Sequence, residues 1–237
     1  MMPHHPIEPG RVLSPLGLIN LGETDLEGVF RRVVDVARDD LAGAADVSIT
    51  VVGRAGPYTA AATGYLALRL DERQYAGEAG PCLEAATDRV TVLIPDTARD
   101  ERWNGWPHYA AAEGAGSVLS IALPILEDVG GALNIYGRAP GTFRDDRVRT
   151  AETFASHAGV VLGNAHLYHR TLGLAEQMRT AMEYRAVIEQ AKGIIMRERR
   201  CSADEAFQAL TKISQDSNRK VRDIAAALVA YTESPVD

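Results

Sequence analysis

Apolar residues recur at three- and four-residue intervals from Leu26 through Val29, Phe30, Val33, Val34 and Ala37 to Leu41, behind Thr24 and Asp25. This spacing predicts a capped amphipathic helix. Downstream the period changes. VSITVVG and YTAAATG, separated by the turn-like RAGP, predict a hairpin; RVTVLIPD and SVLSIALPIL predict two further strands, and EDVG turns the latter into GALNIYG. Strands joined by short loops, with helices at both ends, predict an α+β domain whose antiparallel sheet is covered on one side.

From Asp145 to Arg200 the chain is helical in pattern and free of proline. It reads as one long helix or two joined end to end, with Gly163 and Gly173 as candidate bends. Val160, Leu167, Leu174, Ala181, Ile188 and Ile195 fall every seven residues, the period that keeps one stripe facing a partner helix as the pair supercoils. Four residues beyond successive members stand Asn164, Thr171, Met178, Arg185 and Lys192. So polar a seam makes any coiled coil short, and packing of the stripe within the chain is the competing reading. Ser202 followed by Glu205 is a capping box that opens another helix with Ala206, Leu210 and Ile213 on its apolar face. A last helix, capped by Asn218, buries Val221, Ile224, Ala225 and Leu228, and three such helices make a small bundle.

Composition narrows the function classes. The 237 residues are 24% charged and 46% hydrophobic, within the globular range. The net charge of −7 argues against a surface that binds polyanions everywhere. Residues 1–170 hold 15 basic and 22 acidic groups, whereas residues 171–237 hold ten of each, so a nucleic-acid site is a local patch in the second segment. Two cysteines, Cys82 and Cys201, fit a reduced cytoplasm and not a disulfide scaffold. No apolar run approaches the ~18 residues that cross a bilayer; Ser120 and Pro124 interrupt the longest. Residues 1–20 read as a loose tail without the features of a secretory signal, and His4 and His5 as part of it. The chain carries no GxGxxG, GxxxxGK[ST] or HExxH, and dispersed carboxylates such as Asp96, Asp100 and Glu101 make no acid–base pair. The expectation is a non-enzymatic protein with no cofactor and no metal.

The segment from Glu183 to Val229, EYRAVIEQAKGIIMRERRCSADEAFQALTKISQDSNRKVRDIAAALV, resembles an ANTAR domain, the RNA-binding module of bacterial transcription antitermination regulators. Ala191, Lys192 and Gly193, the capped helix with Ala206, Phe207 and Leu210, and RKVRDIA with Ala225 carry the likeness. Residues 21–165 resemble a GAF domain of the actinobacterial type through AGEAGPCLEA, DERW and SVLSIALPI. The resemblance implies a tail at 1–20, a GAF-like sensor at 21–165, a helical connector or coiled coil at 166–184, and an RNA-binding module of three helices at 185–237. It further implies binding of tandem hairpins in nascent messenger RNA; the seven-residue stripe of the long helix adds the expectation of a homodimer that engages two hairpins at once.

The basic residues of this module each have two readings. Arg197, Arg199 and Arg200 end a helix, where cations complement the dipole whether or not RNA is present. Arg219, Lys220 and Arg222 open a helix, where cations oppose the dipole and a phosphate supplies the compensation. Lys192 and Gly193 lie one turn earlier on the first helix; Gly193 within a helix costs about 0.5–1 kcal/mol against alanine, so close approach by a helix, or by RNA, is expected there. No aromatic stacking platform is expected, with Phe207 on the apolar face and Tyr231 near the end. A DNA-binding regulator, and a small-molecule sensor or enzyme whose last helices only dimerise, are the alternatives.

In the sensor segment Cys82, Trp103 and Trp106 form the candidate pocket for an unidentified small-molecule signal. Cys82 follows Gly80 and Pro81 at a helix start, where a thiolate is stabilised, although a buried inert cysteine is the commoner outcome. NKxxFxxxDE, with which some GAF domains hold cyclic nucleotides, is absent. His157, His166 and His169 on the linking helix read as solvated.

Overall fold

The computed structural model describes residues 15–125 and 130–233, and the chain divides after His169 into two compact units. In the first, α1 (Leu26–Asp40) starts at Asp25, whose carboxylate accepts the Gly28 amide at 2.8 Å. Then follow β1 (Asp46–Gly53), β2 (Gly56–Ala62), α2 (Tyr65–Gly77), α3 (Pro81–Asp88), β3 (Thr91–Ile94), a short turn of helix at Trp103–Gly105, α4 (Trp106–Ala112), β4 (Ser117–Ala122) and β5 (Gly130–Gly137). The strands form one antiparallel sheet in the order β2-β1-β5-β4-β3. The expected EDVG turn falls largely on 126–129, outside the described residues.

Alternation along the strands divides the sheet into two unlike faces. Val47, Ile49, Val51, Leu119, Ile121, Leu133 and Ile135 share one face with α1 and with Phe154, Ala155, Ala158 and Leu162 of α5 (Asp145–Arg199). Fully burying each large apolar side chain of this layer contributes about 1.5–3 kcal/mol. The other face carries Ser48, Thr50, Ser120, Asn134 and Tyr136, all buried, and is roofed by α2, α3 and α4. The sheet is therefore covered on both sides, not one; α3 starts at Pro81 as read, while α2 and α4 lie between the strands where short loops were expected. Asp71 and Gln74, buried on α2, place polar groups on its inward stripe and so mask its helical period.

Of the residues expected to form a tail, 1–14, with His4 and His5, lie outside the described residues; Leu16 is buried against the α1 core. The long helix α5 runs unbroken through Gly163 and Gly173. Gly163 has a packing role, because a Cβ there would sit 2.6 Å from the Ile125 carbonyl oxygen.

The second unit, from Arg170, contains the remainder of α5, then α6 (Ala203–Ser217) and α7 (Val221–Glu233). Ala191, Ile195, Ala206, Leu210 and Ala225 make its buried centre, with Val187, Ile188, Val221, Ile224 and Leu228 around them. Three alanines at the centre remove side-chain bulk and let three helices approach closely.

Candidate nucleic-acid interface and sensor core

Two tight turns position the basic residues of the second unit. At the first, Arg200 adopts φ +50° and Cys201 leads to Ser202, whose hydroxyl accepts the Glu205 amide at 3.3 Å while Glu205 accepts the Ser202 amide at 2.8 Å. The capping box is thus complete, and the Ser202 backbone amide, followed by its hydroxyl, holds the Glu205 carboxyl below the ordinary glutamate range. At the second turn Asn218 has φ +51° and closes α6, its amide bonding back to Gln215 and Ser214. Asn218 was expected to cap the start of the last helix. Its tolerance of the left-handed region makes it a C-cap instead, and the Lys220 carbonyl accepts the Asp223 and Ile224 amides at the start of α7.

These turns leave Arg197 and Arg199 in the last turn of α5, Arg200 just beyond it, and Arg219 and Lys220 immediately before α7, all five exposed. Among the described residues none of the five has a recorded acidic partner, whereas Lys192 and Arg222 do. Lys192 Nζ holds both oxygens of Glu189 at 2.9 Å with its side chain only 17% exposed. Arg222 pairs with Asp223 at 3.4 Å, and its guanidinium lies over the Tyr184 ring. Gly193 is exposed, and a Cβ added there would meet nothing within 4 Å. Close packing by a helix, the first of the two explanations of that glycine, is contradicted: no other part of the described chain comes within 4 Å of an added Cβ. Phe207, expected on the apolar face, is 45% exposed, and Tyr184, which the sequence reading did not weigh as a stacking surface, stands beside Arg222. Sequence reading missed Tyr184 because its partner lies 38 positions away on another helix. It placed Arg185 only among the polar seam positions, although Arg185 precedes Lys192 and Arg199 by seven and fourteen positions and continues their basic row along α5.

In the first unit the polar sheet face is a connected network. Asn134 Nδ2 donates to Thr50 Oγ1 at 2.9 Å and to Ser48 Oγ at 3.2 Å. Thr59 donates to Asp71 Oδ2 at 2.9 Å. With its proton so used, Thr59 accepts from Tyr75 at 2.9 Å, and Tyr75 in turn accepts from Thr50 at 2.9 Å. Tyr136 donates to the other oxygen of Asp71 at 2.5 Å. Burial pushes the Asp71 carboxyl up to about 6, against the opposing hydrogen bonds from Tyr136, Ser48 and Thr59. Asn134 Oδ1 and Ser120 Oγ, cross-strand neighbours, are buried with no partner among the described residues.

Cys82 sits at the second position of α3 with its amide donated to Gln74 Oε1 at 2.8 Å. It is fully buried, and that burial, with Asp71 nearby, pushes the thiol well up. The helix N-terminus does not outweigh desolvation, so the thiolate reading is contradicted. Trp106 is buried and donates to the Leu70 carbonyl at 3.0 Å; Trp103 is half-buried and donates to Glu84 at 3.0 Å, with Arg102 over its ring at 4.3 Å. Trp103, Asn104 and Gly105 all have positive φ, and Trp103 packs against the apolar clusters of both Cys82 and Trp106. The two tryptophans thus anchor the loop over the sheet. An open cavity of about 450 Å³ lies elsewhere, lined by Arg38, Asp46, Thr63, Tyr65, Glu113 and Arg138 among others, and includes none of Cys82, Trp103 and Trp106. His169 Nε2 lies 3.1 Å from the Thr24 carbonyl oxygen, and His157 Nδ1 lies 2.8 Å from that of Thr153.

Comparison with known proteins matches residues 23–163 to the GAF domain and residues 176–229 to the ANTAR domain. The chain belongs to the GAF domain family and carries an ANTAR domain. Among curated proteins it is similar to the nitrate regulatory protein of Klebsiella oxytoca, 33% identical over 70 residues, or 30% of this chain. The chain spans 18% of that relative's length. Among solved structures it is similar to the GAF domain of a phosphoenolpyruvate-protein phosphotransferase from Coxiella burnetii, with a TM-score of 0.53 at 16% identity over 70% of this chain and 99% of that one. It is also similar to reduced fRMsr of Staphylococcus aureus, with a TM-score of 0.52 at 15% identity over 68% and 99%. At such identities the likeness shows the fold alone. The pairing of a GAF sensor unit with an ANTAR module is that of a regulator, and among the described residues no helix is long and apolar enough to cross a membrane.

Proposed function

We propose that this regulator is a cytoplasmic, non-enzymatic transcription antitermination protein whose ANTAR module binds hairpins in nascent messenger RNA under control of the GAF unit. The observation that carries the reading is the set of five exposed cations, Arg197, Arg199, Arg200, Arg219 and Lys220, without acidic partners among the described residues, in a segment whose basic and acidic groups otherwise balance. Cations at the entrance to α7 oppose its dipole, and phosphate there offsets that cost. Open space over Gly193, beside Lys192, supports close approach of an RNA backbone. An RNA loop presents base edges that a duplex conceals, and this suits a compact bundle that carries dispersed positive groups.

The same reading includes a homodimer. Val160 and Leu174 of the seven-residue stripe are 60% and 58% exposed, and Met178 and Met182 are exposed on the following turns. Ile188 and Ile195 of the stripe pack within the chain, and pairing of the exposed positions before them between two chains covers those; two ANTAR modules then engage two hairpins with the gain of an intramolecular second step. One helix, α5, lends residues to the cores of both units, so a signal received by the GAF unit has a continuous element on which to act. The signal is an unidentified small molecule received by the GAF unit.

Competition between a paired-hairpin RNA and duplex DNA of equal charge tests the reading. Preferential retention of the RNA as salt rises supports it; equal displacement, or preference for the duplex, overturns it.

A further inference from the structure

Tyr184 and Arg222 serve neither the core nor the charge argument. Tyr184 lies on α5 and Arg222 in the first turn of α7, and the guanidinium carbon is 4.2 Å from the ring centroid. Arg222 Nε also faces Asp223 Oδ1 at 3.4 Å, so two contacts hold one long side chain. The tyrosine remains 36% exposed and the arginine side chain 34% exposed, while the apolar centre beneath is complete without them. A surface ring that fixes a guanidinium leaves the opposite guanidinium face to solvent.

That arrangement has a use in recognising unpaired nucleotides. Splayed RNA bases stack on aromatic rings and on guanidinium planes, and each such contact is sequence-tolerant because every base has a π face. A guanidinium already ordered by a ring loses less freedom when a base arrives than a free arginine does. Arg219 and Lys220 precede Arg222 by three and two positions and are exposed, so phosphate contacts and a base contact lie within one stretch of chain. We propose that Arg222, laid over Tyr184, is a stacking platform for one unpaired base of an RNA loop, with Tyr184 positioning the guanidinium. The proposal rests on the RNA-binding reading above.

The test uses the full chain and a pool of stem-loop RNAs with a fixed stem and a randomised loop, enriched on the unmodified protein. Binding of an enriched RNA, and of the same RNA with each loop base removed in turn, is measured for Tyr184→Leu, Tyr184→Phe and Arg222→Lys, with thermal unfolding followed in parallel. Tyr184→Leu and Arg222→Lys each weaken binding about tenfold, and Tyr184→Phe, which keeps the ring, restores most of that loss. Removing one particular loop base from the RNA costs the unmodified protein a similar factor and costs Tyr184→Leu nothing more. The salt dependence of Tyr184→Leu stays that of the unmodified protein, because no phosphate contact is lost. Arg222→Lys keeps the charge and so separates stacking from attraction, whatever the stability of Tyr184→Leu. Full affinity in both Tyr184→Leu and Arg222→Lys overturns the platform and leaves RNA binding standing, as does an unchanged penalty for every missing base. Failure of the unmodified chain to enrich any RNA overturns the RNA-binding reading itself, and the platform with it.

Discussion

Tyr136 donates its hydroxyl proton to Asp71 at 2.5 Å across the buried polar face of the sheet, joining β5 to α2. Thr59 holds the second carboxylate oxygen, so Asp71 gathers the network that starts at Asn134. A carboxyl pushed up to about 6 by burial is easier to protonate in the folded chain than in the unfolded one. Its contribution to stability is therefore whole below the unfolded value of 3.8 and is lost as pH rises through about 6. Asp71→Asn cannot titrate. Relative to that variant, the unmodified protein loses on the order of 1–3 kcal/mol between pH 4 and pH 7, measured by denaturant unfolding at each pH. A constant difference would show that Asp71 does not titrate in this window.

Gly193→Ala separates stability from binding. The position is helical, exposed and open, so the added methyl meets no neighbour and raises helix stability by about 0.5–1 kcal/mol. If RNA approaches the glycine closely, the same methyl weakens hairpin binding. Calorimetric unfolding with a parallel binding titration checks both signs; a stabilised variant with full affinity removes Gly193 from the interface.

The two thiols differ in access. Cys201 is half-buried at the turn into α6, while Cys82 is fully buried with its thiol pushed up. In the folded chain a disulfide reagent such as DTNB titrates Cys201 first, and Cys82 reacts at a rate set by opening of the structure. Equal rates for both would contradict the burial of Cys82.

Much of the fold is legible in the sequence. α1 follows its apolar period and its Asp25 cap, the capping box at Ser202 and Glu205 forms as read, and all five strand segments fall where alternation places them. What escapes is physical in origin. Asp71 and Gln74 face inward on α2 and break the apolar stripe by which a helix is recognised, because their burial is made affordable by partners remote in sequence. Asn218 reads equally well as the end of one helix or the start of the next, and only its backbone angle decides. The ring under Arg222 depends on a contact between two helices, which local spacing does not encode.

Dimer formation through the α5 stripe has its own expected outcome. Leu174→Glu and Met178→Glu place charges at exposed apolar positions, where they leave each unit's core intact. Sedimentation then finds single chains, affinity for one hairpin is retained, and affinity for paired hairpins falls by tenfold or more, as loss of the linked second site requires. Unchanged affinity for the paired RNA would remove the dimer from the mechanism.

The central claim is that the exposed cations of the ANTAR module meet RNA phosphates, and the salt dependence of hairpin binding tests it most directly. Paired-hairpin affinity is measured across a range of salt for the unmodified chain and for Arg219→Ala with Lys220→Ala. The account predicts that the double variant binds more weakly at low salt and that its logarithmic salt slope is shallower by roughly 1.4–1.8, the value for two phosphate contacts. Equal slopes and equal affinities in a folded variant would contradict it.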